Sequence, residues 1–432
     1  MIERPTTRVI AIMPSGPAYD FSWGSEPDVS WNNSGGWRVG IWGREWHDLL
    51  GAEVLKLRRG YSWESWQPDA RADREYSAQL PSGVTHRLFP AARGAFKIGL
   101  RRQEALFSEA ILRELAALGG ERVILMLGGT YGFHAPFFRA ILASLGQVKR
   151  FPVFLRSDGM FSHPLLEFMA PHRPLTYLSL LLEHLEVKRL LAYADVITEQ
   201  SDEGLAEVRA VYGGRVERLC MGCDFVFWRP PAPAERAAAR ERLGIKEGKK
   251  IFFASGNFLA RKQLDRLVAV FNSLPDTGPA FLIVAGQGPA NFVSELQRLT
   301  KPVVASGAGA MLRYAEGEAL RELYWASDIY VSSASDEGGP VSVMKAMACG
   351  LPVMATAVGD TADLMRSLPA GRLLPPKDYG AWRSAIEEVL SGDMPPPVNL
   401  AAARARYDWP NVAAKCADIL DEISRPYFKE RA

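Results

Sequence analysis

The feature that most constrains this chain is the regular alternation, from end to end, of short β-rich runs with longer helical patterns. Parallel strands need crossover connections, and helices supply them. Such alternation therefore predicts an α/β protein with parallel sheets and argues against a sandwich. In the first half the strand candidates are RVIAIM, AEVLKLR, VTHRLF, RVILML, PVFLR, DVITEQ and VERLCM; in the second they are KIFFAS, AFLIVAG, KPVVAS, DIYVSS, LPVMAT and GRLL. A length of 432 residues exceeds what one hydrophobic core usually serves. The proline-rich link and charged helix of RPPAPAERAAARERLGIKEGKK, Arg229 to Lys250, mark the boundary. The expected organisation is a Rossmann-like domain over residues 1–228, a second over 229–408, and a terminal helix over 409–432. Two doubly wound domains would bring the carboxyl ends of their sheets to one cleft, where ligands of such sheets bind.

Composition excludes several classes. Lys plus Arg, 51, nearly balances Asp plus Glu, 49, which gives no reason to expect a nucleic-acid partner. The start, MIERPTTRVIAIMP, carries charges where a signal peptide has its apolar region, and no uncharged apolar run nears the roughly 18 residues that span a bilayer. The expectation is a cytoplasmic protein whose membrane contact, if any, is peripheral. Cys220 and Cys223 form a C-x-x-C spacing, but no second ligand pair accompanies it, so small residues in a strand and turn are expected.

The chemistry points to an anion. After DIYVSS comes ASDEGGP and then a helix: Gly338 and Gly339 let backbone amides approach a ligand, and Pro340 suits the first helical position. Free N–H groups and the positive end of the helix dipole favour negative charge. Arg261 and Lys262 follow the strand ending near Ser255, beside Asn257, and supply a fork and a point charge for phosphate. Gly286 and Gly288, in AGQGP after the next strand, could wall a nucleotide base, though a plain turn explains them equally well.

On these residues the chain resembles the retaining GT-B glycosyltransferases of the group 1, or family-four, type. YADVITEQS is similar to that family's last amino-domain segment. MGCDFVFWRP matches its next segment at Gly222, Asp224, Phe227 and Pro230, and RKQLDRLV resembles its phosphate segment. YWASDIYVSSASDEGGPVSVMKAMACGLPVMAT matches its main motif along nearly its whole length. The resemblance implies a nucleotide-diphosphate sugar donor, UDP-, GDP- or ADP-linked, with no metal and no further cofactor. It implies that Glu337 contacts donor sugar hydroxyls, that Arg261 and Lys262 neutralise the diphosphate, and that the amides from Gly338 to Val341 hold the same group. It also implies that the glycine loop NNSGGWRVG, with Gly35 and Gly36, reaches the reacting centre, and that the terminal helix over 409–432 crosses back to the first domain. The acceptor would be a saccharide or a lipid-linked sugar in polysaccharide or glycoconjugate synthesis.

Two positions depart from the pattern. The family's second glutamate falls at position 345, where this chain has Lys345; an ammonium has only donors, so a ribose contact by acceptance is lost. Lys345 could run its stem across the helix into water, could bond the ribose or a phosphate in an altered pose, or could mark a non-catalytic module that binds a nucleotide sugar or a partner enzyme. Where many relatives carry a histidine near the reacting carbon, Asp158 holds the nearest place, with His134 and His163 as alternatives. On the acceptor side, seven of the eleven tryptophans fall early, at 23, 31, 37, 42, 46, 63 and 66, and at least three are expected to cap the first sheet. The basic run HRLFPAARGAFKIGLRR, from Arg87 to Arg102, reads as a solvated helix start or as a patch that greets an anionic acceptor or bilayer.

Overall fold

The computed structural model describes residues 6–12, 49–69, 72–98, 101–119, 121–128, 138, 140–142, 151–157, 188, 190–275, 279–305, 310–313, 315–335, 337, 339–368 and 371–428. They divide into two compact units, Met1–Cys220 with Trp409–Ala432, and Met221–Asp408.

In the first unit the order is β1 (Thr7–Ile12), α1 (Leu50–Leu57), β2 (Tyr61–Asp69), β3 (Tyr76–Gln79), β4 (Thr85–Pro90), β5 (Ala92–Ile98), β6 (Arg101–Phe107), α2 (Glu109–Ala117), β7 (Arg122–Gly128), β8 (Val153–Arg156), β9 (Val196–Glu199), α3 (Asp202–Val211) and β10 (Val216–Arg218). Eight strands form one sheet in the order β10-β9-β8-β7-β1-β2-β4-β3, parallel except for β3 against β4. The central strands β1 and β7 are buried nearly throughout, which is why they read as continuous apolar runs.

Three expectations are corrected here. AEVLKLR is not a strand but most of α1, with Leu50 and Val54 buried one turn apart. The strand is β2, whose Trp63 and Trp66 are fully buried; Gly51 of α1 leaves room for the Trp63 ring. These two tryptophans belong to the core, while Trp23, Trp31, Trp37, Trp42 and Trp46 lie outside the described residues. The basic run is not a helix start: it closes β4 and makes the antiparallel pair β5–β6, with Lys97 in register with Arg102. The domain boundary falls at Cys220 rather than at residue 228, because the Cys223 N–H donates to the Tyr407 carbonyl at 2.7 Å and fixes this segment in the second unit.

The second unit runs α4 (Pro233–Arg242), β11 (Lys250–Ser255), α5 (Leu264–Asn272), β12 (Ala280–Ala285), α6 (Ala290–Ala305), β13 (Ala310–Arg313), α7 (Gly317–Ala326), β14 (Ile329–Ser332), α8 (Val341–Ala348), β15 (Val353–Thr356), α9 (Gly359–Ser367), β16 (Arg372–Leu374), α10 (Tyr379–Ser391) and α11 (Leu400–Tyr407). Its six strands are all parallel in the order β13-β12-β11-β14-β15-β16. KPVVAS is expected as a strand, but Lys301 to Ala305 of it are the end of α6; the paired valines continue the helix, and the edge strand lies further on at β13. Phe252, Val268, Phe271, Leu282 and Ile386 join the core between β11, β12, α5 and α10.

The last helix, α12 (Trp409–Phe428), belongs to the first unit. Arg58 binds Asp418 and Asp421, Tyr61 donates to Asp421 at 2.7 Å, and Tyr427 donates to Asp195 at 2.8 Å. Among the described residues no helix is long and apolar enough to cross a membrane.

Candidate nucleotide-sugar site

The strand order of the second unit makes β11 and β14 neighbours, so the loops that follow them meet at one edge. After β11 the chain passes Gly256, at φ 151°, and Asn257, makes a single 3-10 turn at Ala260–Lys262, and enters α5 through Gln263 in the left-handed region at φ 48°. The loop after β14 is laced to this turn. The Ser335 N–H donates to the Arg261 carbonyl at 2.7 Å, and the Ser333 hydroxyl donates to the Lys262 carbonyl at 2.9 Å.

This lacing brings Glu337 onto Lys262. The two form an ion pair with side-chain exposures of 6% and 8%, and Arg261, 39% exposed, stands 3.6 Å from the same carboxylate oxygen. A buried pair with a second, wetter cation beside it leaves net positive charge at the rim of the sheet. Just beyond lies α8. Its N-cap is Pro340, so the helix begins at Val341, one residue later than expected. The Val341 N–H turns back to the Gly339 carbonyl at 2.9 Å, and Pro340 has no N–H, which leaves Ser342 and Val343 to present the first-turn amides. Gly338 lies outside the described residues, as do Gly35, Gly36, Asp158, His134 and His163.

Gly286 and Gly288 have a packing reason. The loop after β12 bonds the loop after β11, Gly256 N–H to the Ala285 carbonyl at 3.0 Å and Phe258 N–H to the Gln287 carbonyl at 2.7 Å. A Cβ on Gly286 would collide with the Gly256 carbonyl oxygen, and one on Gly288 with Phe258.

Lys345 sits on the second turn of α8, half-buried, with its ammonium 4.7 Å from the centre of the Trp228 ring. Trp228 itself is buried and meets Tyr324 edge-on at 5.5 Å. Beside it Arg321 lies 4.3 Å over Phe227, and both Arg321 and Arg229 face Trp325, at 4.5 and 4.9 Å. Arg229 is held by Glu235, whose carboxyl that guanidinium and the Ala232 N–H pull down to about 2. Burial pushes the neighbouring Cys349 thiol up to about 12, against the pull of Arg321, Lys345 and Arg229. Sequence reasoning missed this cation-on-ring arrangement; its one signal was the aromatic pair at 227 and 228, with Trp325 far along the chain.

Residues 235–406 match the sequence model of glycosyl transferases group 1. A D-inositol 3-phosphate glycosyltransferase of Xylanimonas cellulosilytica is 25% identical over 247 residues, covering 55% of this chain and 59% of that protein. The Mycobacterium tuberculosis protein of the same name is 28% identical over 229 residues, 50% of this chain and 46% of its own length. The matched segment thus spans about half the length of these relatives. Among solved structures, the sucrose-phosphate synthase of Thermosynechococcus elongatus superposes with a TM-score of 0.67 at 19% identity, covering 96% of this chain and 99% of that one. Anabaena HepE in complex with UDP-glucose gives 0.62 at 14% identity, with 96% and 99% covered. With two Rossmann-like units of the GT-B fold and this match over 235–406, the second unit is a group 1 glycosyltransferase domain.

Proposed function

We propose that the chain is a retaining hexosyltransferase that uses a nucleotide-diphosphate sugar without a metal. The observation that carries this is the buried Lys262–Glu337 pair, with Arg261 beside it, at the amino end of α8. Two cations and the first-turn amides of α8 would meet the diphosphate of the donor and the charge that grows on it as the glycosidic bond breaks, an arrangement fixed before reaction. Glu337, held in place by Lys262, would accept from hydroxyls of the donor sugar. The group 1 match and the UDP-glucose bound by HepE support a nucleotide-sugar donor. The acceptor, a saccharide or lipid-linked sugar, is assigned to the first unit, and the work to the cytoplasm or its membrane face.

Incubation with UDP-glucose and alternative donors, with the anomer of the transferred or released sugar followed by NMR, tests this. Retained α configuration at an undiminished rate in EDTA is expected. Inverted product, or a rate abolished by EDTA and restored by a divalent ion, would overturn the mechanism. Lys345 is assigned to packing by its place on Trp228. Lys345→Met is therefore expected to change the nucleotide dissociation constant less than threefold and to cost about 1 kcal/mol of stability. A tenfold weaker dissociation constant would put the ammonium on the nucleotide instead.

A further inference from the structure

Behind the site lies a buried cluster of hydroxyls that ring packing does not require. Tyr324 of α7 and Tyr330 of β14 are 0% and 1% exposed. Their rings stack at 5.5 Å and both meet Phe253 edge-on, contacts that phenylalanine would make equally well. Burying two phenolic oxygens is costly unless both are bonded. Tyr324 donates to the Ser342 carbonyl, in the first turn of α8, at 3.1 Å, and Tyr330 donates to the Ser255 carbonyl, at the end of β11, also at 3.1 Å. The Ser255 hydroxyl sits between them, 3.0 Å from Tyr324 Oη and 3.1 Å from Tyr330 Oη, and the Ser255 N–H reaches Tyr330 Oη at 3.3 Å. Both phenol protons are spent on carbonyls, so the Ser255 hydroxyl proton is the one shared between the two phenolic oxygens. Burial holds both phenols above their ordinary pKa, which keeps those protons in place.

The two carbonyls so engaged belong to the two halves of the candidate site. Ser342 lies in the first turn of α8, whose amides are assigned above to the donor diphosphate. Ser255 precedes Gly256, over whose bare Cα the Lys262 stem passes, with Cε 3.6 Å from where a Cβ would stand. We propose that Tyr324, Tyr330 and Ser255 are positioning residues whose hydroxyls set the first turn of α8 at a fixed distance from the Ala260–Lys262 turn, so that helix amides and cations grip one diphosphate together. The inference rests on the donor-site reading above.

The test uses the full chain with Tyr324→Phe, Tyr330→Phe and Ser255→Ala, each titrated with the nucleoside diphosphate that binds the unaltered protein and with its monophosphate. Each variant loses a hydrogen bond that net burial values at about a five- to tenfold change. That weakening is expected for the diphosphate, whose two phosphates must reach both halves, while the monophosphate moves less than about twofold. Donor KM should rise in step with the diphosphate dissociation constant. Equal weakening of both nucleotides would assign the cluster to stability alone, and unchanged diphosphate affinity would likewise overturn the proposal. If the unaltered chain binds no nucleoside diphosphate, the donor-site reading fails, and the inference falls with it.

Discussion

Replacing Lys262 with methionine is expected to lower the stability of the second unit by about 3 kcal/mol or more and to abolish binding of a nucleoside diphosphate. The ammonium is nearly enclosed, and without it the Glu337 carboxylate is left in a site with 6% exposure. Truncating one member of a buried pair leaves an uncompensated charge, a larger penalty than the pair's own net worth. Arg261, at 3.6 Å from the same oxygen, offsets part of that loss, which keeps the expectation at the lower end of the range. Adding Glu337→Gln to Lys262→Met removes the stranded charge. The double variant should recover most of the stability in urea unfolding yet remain unable to bind nucleotide. Recovery of binding along with stability would show that the pair is structural and that phosphate charge is met elsewhere.

Gly286→Ala is the second large effect. Its Cβ would collide with the Gly256 carbonyl oxygen and approach the Phe258 ring to 2.8 Å. Backbone cannot swing aside as a side-chain tip can. The loop after β12 must therefore part from the loop after β11, breaking the Phe258 N–H bond to the Gln287 carbonyl. A loss of about 2–3 kcal/mol is expected. Because Phe258 leads into the Arg261–Lys262 turn, nucleotide affinity should fall as well. Gly213→Ala is the control: nothing lies within 4 Å of its Cβ, and a change within about 0.5 kcal/mol is expected. Thermal and urea unfolding of both variants decide it, and a tolerated alanine at 286 would contradict the loop packing described here.

The second unit was legible because its parallel strands are covered on both faces and stand out as short apolar runs; β11, β12, β14 and β15 are buried nearly throughout. The exception, KPVVAS, shows the limit of that signal, since two valines at the end of a 16-residue helix look like a buried strand when the preceding helix is not carried through them. In the first unit AEVLKLR fits a two-residue period as well as a helical one, and only the Trp63 ring packed against Gly51 decides for the helix. β2 was overlooked because Glu64 and Ser65 separate its tryptophans, although Trp66 donates to Glu64 through a 2.8 Å hydrogen bond.

Of the candidate site, Arg261 and Lys262 could be picked from the sequence because they lie just beyond a strand, at the carboxyl edge of its sheet, and Glu337 because the segment around it resembles the family's motif. That Lys262 would pair with Glu337, across 75 positions, could not, because it depends on Ser333 and Ser335 bonding to carbonyls of the facing turn. Nor could the roles of Ser255, Tyr324 and Tyr330, which look like ordinary core positions until their hydroxyls are traced. Lys345 looked like a charge of the wrong sign in a ribose pocket; its ammonium on Trp228 gives it a partner that no local pattern shows.

The most direct test of the central claim is calorimetric titration of the full chain with UDP, GDP and ADP, run beside the Lys262→Met/Glu337→Gln double variant. Micromolar, one-to-one binding of one of these nucleotides is expected for the unaltered chain, and none for the stable double variant. Binding that survives in the double variant, or no binding of any of the three by the unaltered chain, would contradict that claim.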